Sequence, residues 1–470
     1  MTRKLFTVAV LGLLTSLSIF VTSGRSVVSA NHTAQPALQS DNNQTQIELD
    51  EDEADDNDGE FWYEPQPERQ GDVVTLRGNI TQNTSLKANK RYVLEGGVFV
   101  KAPAKLKIKA GTQIFGGPNS FLAIERGAQI LAKGKATKPI VFTSAQNAGS
   151  RKFGDWGGLI INGSAPMNIQ NFQGEGGTGA AGGTNPADNS GVLQFVRVEY
   201  GGFPITPQNE LNGIAFQGVG NGTVVENVEV LEAGDDSYEF FGGTVNVKRL
   251  LAIGTSDDGF DWVNGWVGKA QFLICLKDGT TESQNGVEAD NLNEANDQLP
   301  RSAPTIYNMT LIGDLETKSS SAFGMLLRVG TAGTFRNIIV MNFREFGIRV
   351  QNDSSLAQLQ NGALSIDGLI VNGNAKGNFQ FVANSGSPDP GDLSNLFRNV
   401  STDNPNLTNI SKSATPADFR PQTGSPALNQ ALVASRPQGD TFFEAANFLG
   451  GMGPGANDDW TKGWATFVRK

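Results

Sequence analysis

Six carboxylates in two consecutive turns form the densest set of ionisable groups in the patterned part of this chain. They are Asp235, Asp236 and Glu239, followed by Asp257, Asp258 and Asp261. Their setting is one pattern written twice, 22 residues apart throughout. The first copy is Gly234-Asp235-Asp236-Ser237-Tyr238-Glu239-Phe240-Phe241-Gly242-Gly243, and the second is Ser256-Asp257-Asp258-Gly259-Phe260-Asp261-Trp262-Val263-Asn264-Gly265. Carboxylates held close together either keep a proton above their usual range or share a cation. Oxygen ligands from carboxylates and turn carbonyls suit calcium, so all six are candidate calcium ligands. The competing reading is that Asp simply favours turns and points to water, where stacking costs little. Both readings stand at the level of sequence. Tyr238, Phe240, Phe260 and Trp262, which travel with the carboxylates, fit a stacked core ladder better than a sugar-binding platform.

Other chemistry is excluded by what the 470 residues lack. Cys275 is the only cysteine, so there is no internal disulfide and no cysteine metal site. His32 is the only histidine and lies in the N-terminal tail, which removes Ser-His-Asp and Cys-His catalysis and a histidine general base. The chain carries a net charge of −11, or −14 once Arg3, Lys4 and Arg25 leave with an N-terminal leader. Such a surface repels nucleic acid and anionic lipid and attracts cations. No basic stripe with interleaved aromatics speaks for a nucleic-acid partner.

The elements that must position the carboxylates follow from the same 22-residue displacement. A fixed period of that size, built from short β-branched runs between Gly, Asn and Asp turns, is the signature of a solenoid. Residues 223–230 and 244–252 are too short and too β-branched for helices. The expected fold is all-β, a right-handed parallel β-helix with capped ends, in which one coil places equivalent residues about 4.8 Å apart. Further runs fall at 92–100, 106–114, 271–276, 305–312, 334–341 and 364–371. Val198 and Val228, 30 residues apart, read as one coil plus an insertion, and Phe323-Gly324 and Phe346-Gly347 return at 23. Asn285 to Asn291 brings a further acidic turn. Residues 173–191 read as a Gly-rich loop thrown out from one rung.

Four segments are expected. Residues 1–30 read as a secretory signal peptide: Arg3 and Lys4, an apolar run at 5–21, then Val28-Ser29-Ala30. Residues 31–70 read as an acidic disordered linker, with weak calcium capture or a spacer from the cell surface as its functional alternatives. Residues 71–380 form the β-helix. Residues 381–470 form a C-terminal extension and cap, with a short helical run near 442–448 and with Trp460 and Trp464 covering the last coil. No segment after the leader is apolar for long enough to span a bilayer. The expected localisation is secreted or cell surface.

Several motifs occur together in one order. Gly154-Asp155-Trp156-Gly157-Gly158 precedes Arg197-Val198-Glu199-Tyr200-Gly201-Gly202, then Gly218-Val219-Gly220-Asn221-Gly222-Thr223, then Glu239-Phe240-Phe241-Gly242-Gly243-Thr244-Val245. With Asp459-Trp460 and Gly463-Trp464 near the end, the chain resembles exported bacterial parallel β-helix surface proteins of the pectate-lyase-like superfamily. The resemblance implies fold and export and supplies no catalytic residues. Members are often lipoproteins, whereas this chain lacks the lipobox cysteine at the end of the apolar run. The reading is a non-catalytic cell-surface or extracellular-matrix protein, stabilised by calcium, with extracellular polysaccharide or cell-surface components as partners. Its alternative is a calcium-dependent polysaccharide lyase of the pectate-lyase type. Polygalacturonase-like chemistry pairs Asp-Asp with a histidine that is missing here. Lyase chemistry needs a basic proton acceptor, for which Arg328 and Arg349 in adjacent coils are the candidates, although as a sequence they read as solvent-facing.

Overall fold

Each coil lays strand on three faces, as three short strands in the early coils and later as one bent strand and one straight one, and each strand pairs in parallel with its counterpart one coil further on. Among the described residues twenty-four strands are joined this way, and the result is an all-β parallel β-helix. The computed structural model describes residues 72–206, 209–277, 283–384, 390–411 and 417–467. The expected signal peptide 1–30 and linker 31–70 lie outside the described residues. No helix among the described residues is long and apolar enough to cross a membrane.

The strands fall on three faces because of one recurring backbone conformation. Within the strands Val224–Leu231, Asn246–Ile253, Lys269–Leu276 and Thr305–Ile312, the residues Asn227, Arg249, Phe272 and Asn308 take φ of +54° to +65°. Pairing skips each of them: Gln194 meets Glu226 and Val196 meets Val228, with the left-handed residue between. Asn tolerates this region better than other non-glycine residues, which suits it to a bend repeated from coil to coil. Residues 228–231 therefore lie on the first face and 224–226 on the third. The second face comes from Tyr238–Phe241, Phe260–Val263, Val287–Ala289, Met325–Leu327 and Phe346–Gln351. The 22-residue register holds, with Tyr238 on Phe260, Glu239 on Asp261 and Phe240 on Trp262. Val198 pairs with Val230, a step of 32, so the expected match with Val228 is two residues out of register. The run 106–114 divides into Lys105–Ile108 and Gln113–Gly116, on different faces.

Alternate residues of the second face fill the interior. Tyr238 stacks on Phe260 at 5.5 Å, Phe216 on Phe240 at 5.2 Å, and Phe240 on Trp266 at 4.1 Å. All are buried, as a core ladder requires. Such pairs contribute about 0.5–1.5 kcal/mol each beyond area burial.

The C-terminal extension departs from expectation. The strand Arg398–Ser401 still pairs with 367–370, so the coils continue past residue 380. The following segment runs back along the outside of the first face rather than covering the last coil. Ala434 N–H donates to Asn337 at 2.8 Å, Asn308 donates to the Phe448 carbonyl at 2.9 Å, and Gln271 accepts from Glu444 N–H at 2.8 Å. Residues 442–448 are irregular rather than helical, because their backbone groups bond to the solenoid instead of to one another. The physical cause is the first face itself, which is apolar on both sides. Leu231, Leu251, Ile274, Ile312, Ile339 and Ile370 point outward and pack under Ala427, Leu449, Met452, Trp460 and Phe467. At Gly451 the strap comes so close that a Cβ would stand 2.4 Å from the Leu273 carbonyl.

Trp464 ends the strap on an early coil. It is buried against the edge of Phe195 at 5.8 Å, and its carbonyl accepts from Arg197 at 3.1 Å. Arg197 is buried and pairs with Glu199 at 2.8 Å, with Glu229 at 3.9 Å. Arg197→Ala would break the buried ion pair with Glu199 and remove the donor to the Trp464 carbonyl, at a cost of about 3–5 kcal/mol. The expected outcome is earlier urea unfolding, with new protease cleavage near Trp460 and Trp464. An unchanged unfolding curve would remove Arg197 as the anchor.

Candidate metal centre

The two Asp-Asp turns stand at the corner before the second face. There the short Asp side chain reaches one coil along the axis. Asp236 Oδ1 accepts from Asp258 N–H at 2.9 Å, Asp258 Oδ1 from Asn285 N–H at 2.7 Å, and Asn285 Oδ1 from Phe323 N–H at 3.0 Å. This ladder satisfies backbone donors that the corner would otherwise bury unpaired. Asp235 and Asp257 are its neighbours; their backbone carbonyls accept from Thr255 Oγ1 and from the buried Lys277 ammonium respectively.

Glu239 and Asp261 lie in the strands that follow. Because Tyr238, Phe240, Phe260 and Trp262 point inward, the period of two turns Glu239 and Asp261 outward. The next coil adds Glu288 in register with Asp261. These three are nevertheless buried, at 7, 5 and 8% exposure. Asn212 covers one end and donates to Glu239 Oε2 at 2.7 Å. At the other end Arg328 donates to Asp290 Oδ1 at 2.8 Å and pairs with Glu288. Ligand atoms of Asp236, Glu239 and Asp261 lie within 4.8 Å of one another, as do those of Asp258, Asp261 and Glu288. Two further triads, Asp236-Asp257-Asp258 and Glu210-Asp235-Asp257, meet the same limit and extend the acidic band. Asp261 belongs to both triads on the strands, and its buried Oδ1 has no hydrogen-bond partner among the described residues.

The electrostatics follow from burying like charges. Burial raises the Asp261 carboxyl well above its ordinary range, and Glu239, Glu288, Asp258 and Asp290 push it further. Glu288 is pushed up to about 8 by burial, with Arg328 opposing and Asp258, Asp290 and Asp257 adding. Burial works against the Arg328 charge, but Asp290 and Glu288 outweigh it and its pKa rises. Cys275 lies behind this corner. Burial is the main cause that lifts its thiol to about 11, so it is a packing residue rather than a nucleophile.

All six expected residues are thus brought together, and the picture of solvated turns is corrected for each of them. Asp235, Asp236, Asp257 and Asp258 are between 0 and 9% exposed. Arg328 is likewise no solvent-facing coil residue but the cation of the site. Glu288 and Asp290 were legible only as a further acidic turn. A sharper signal was present, since Gly286-Val287-Glu288-Ala289 repeats Gly259-Phe260-Asp261-Trp262 as glycine, apolar, acid, apolar. Its spacing of 27 rather than 22 conceals it.

The donor set fits a hard divalent cation: oxygen ligands, several carboxylates to each guanidinium, and a buried oxygen left without a donor. Among known families, a model described as a pectate-lyase-like beta helix domain matches residues 78–419. No curated protein and no solved structure matches the chain.

Proposed function

Because the chain belongs to the pectate-lyase-like beta helix domain family, we propose that it is a non-catalytic, exported surface protein whose solenoid is held by calcium at the second face. The observation that carries the reading is Asp261 Oδ1, buried and unpartnered among Glu239, Asp236, Asp258 and Glu288. A cation at that oxygen replaces carboxylate repulsion with attraction between successive coils. Its role is structural because the ligands are closed in. A lyase must set a sugar ring against metal and base together, and side chains 5–8% exposed offer a polymer no such access. The remaining long face, the third, is left for extracellular polysaccharide or cell-surface components, in keeping with a bacterial exported protein.

One observation favours the second reading, a calcium-dependent polysaccharide lyase. Arg349 lies on the same outward row as Glu288, two coils on, through Leu326. Its Nε has no hydrogen-bond partner among the described residues, and burial, aided by Arg328, lowers its pKa. Incubation of the full chain with polygalacturonate and calcium separates the two. The expected result is bound calcium after dialysis and no unsaturated uronide. Calcium-dependent release of unsaturated product, lost in Arg349→Lys, would establish the lyase instead.

A further inference from the structure

The donors of the acidic centre repeat with the solenoid. Four successive coils bring into register a corner residue and, three residues on, an outward strand residue. The pairs are Asn212 and Ala215, then Asp236 and Glu239, then Asp258 and Asp261, then Asn285 and Glu288. Leu326 follows Glu288 in the strand row. One rule describes both strand triads: the corner acid and strand acid of one coil, with the strand acid of the next. Asp236 and Glu239 take Asp261, while Asp258 and Asp261 take Glu288. The rule gives no third copy along this row. Asn212 and Ala215 interrupt it on one side, and Asn285 and Leu326 interrupt it on the other. The chain therefore builds two cages of the same plan, one coil step of about 4.8 Å apart.

Each cage meets a buried oxygen that lacks a donor. Asp261 Oδ1 is common to both. Asn212, 1% exposed, donates Nδ2 to Glu239 at 2.7 Å and leaves Oδ1 without a hydrogen-bond partner among the described residues. An exchange of its amide oxygen and nitrogen turns Oδ1 toward the cage of Glu239. Charge then decides the number of ions. The two cages hold five carboxylates, each at most 8% exposed. Arg328 divides its charge between Glu288 and Asp290 and offsets little of this. With the five ionised, one divalent ion leaves three charges uncovered and two ions leave one. Burial makes every uncovered charge costly. Paired metal ions stand about 3.5–4 Å apart in other centres, so the coil step leaves room for both with one carboxylate between them. Resting on the reading that this centre holds a divalent cation, we propose that it holds two, in adjacent cages bridged by Asp261.

Equilibrium dialysis of the full chain against calcium, followed by metal analysis, tests the number. Counting against Asp261→Asn, which removes the bridge, cancels ions held elsewhere on the chain. The parent should retain two more ions than this variant. Glu239→Gln alters the first cage alone and Glu288→Gln the second alone, and each should retain one more. Far-UV circular dichroism matching the parent identifies the variants that still fold. A parent that exceeds Asp261→Asn by a single ion, lost in both glutamine variants, overturns the pair and leaves one structural calcium standing. No difference at all brings down the pair together with the reading it rests on. A second measurement uses manganese as the probe and electron paramagnetic resonance as the readout. Two bridged manganese ions couple, so the resolved hyperfine pattern of an isolated ion should be lost in the loaded parent and return in Glu239→Gln and Glu288→Gln. A parent that binds both ions and keeps the isolated-ion pattern places the second ion elsewhere and sinks the bridged centre.

Discussion

Calcium raises the unfolding temperature of the full chain, a chelator reverses the rise, and Asp261→Asn removes most of it. The expectation follows from geometry and mass action together. A ligand that binds only the folded stack stabilises it by about 2.7 kcal/mol at a hundredfold excess over Kd. Asp261 is the residue to change because it belongs to both triads on the strands and its Oδ1 lacks a donor. Asp236 and Asp258 are poorer choices, since each also accepts a backbone N–H from the following coil. Asparagine keeps the size of Asp261 and removes one buried negative charge beside Glu239 and Glu288. The metal-free variant should therefore be more stable than the metal-free parent, an inversion that ordinary damage to a core does not produce. Parallel substitution of the acids in residues 48–60 controls for calcium held there. If the Asp261→Asn chain keeps the full calcium shift, the centre is misassigned.

In chelator, stability should fall as pH rises between about 4.5 and 8, and calcium should flatten that fall. Burial raises the folded-state pKa of both Asp261 and Glu288 above their ordinary values of 3.8 and 4.5. A carboxyl raised in this way contributes stability that is fully present below the unfolded pKa. The contribution is lost as pH climbs through the folded value, about 8 for Glu288. Within that window each such group contributes a slope of up to about 1.4 kcal/mol per pH unit. Calcium competes with the proton for the same oxygens, so its stabilising increment should grow across the interval. Glu288→Gln should remove its share of the slope, while Arg328 keeps Asp290 as a partner at 2.8 Å. Urea unfolding at stepped pH, with and without calcium, measures both trends. A metal-free stability that rises across this window would contradict the assignment of raised carboxyls.

Much of this molecule is local and was open to reading residue by residue. The 22-residue displacement set the register of Glu239 on Asp261, and strand alternation set which side chains point inward. Both properties depend only on neighbours along the chain and one coil away. Coil length is where legibility failed. Steps of 27 from Asp261 to Glu288 and 38 from Glu288 to Leu326 keep the stack but break the written period. A parallel coil constrains its strands and leaves its loops free to vary. For that reason Arg328 and Glu288 joined the centre only in three dimensions.

Burial was likewise decided by the tertiary structure. Asp in a turn is a solvent-seeking residue until something else roofs it. Asn212, Arg328 and the stacked corner, which close over these carboxylates, come from well-separated parts of the chain. The strap makes the same point from the apolar side. Runs such as Leu250-Leu251-Ala252-Ile253, apolar on both faces of a strand, state in the sequence that the outer side must be covered. Which segment covers them is set by shape and free backbone partners across the whole solenoid, so Trp464 meets Arg197 on an early coil and not the last one.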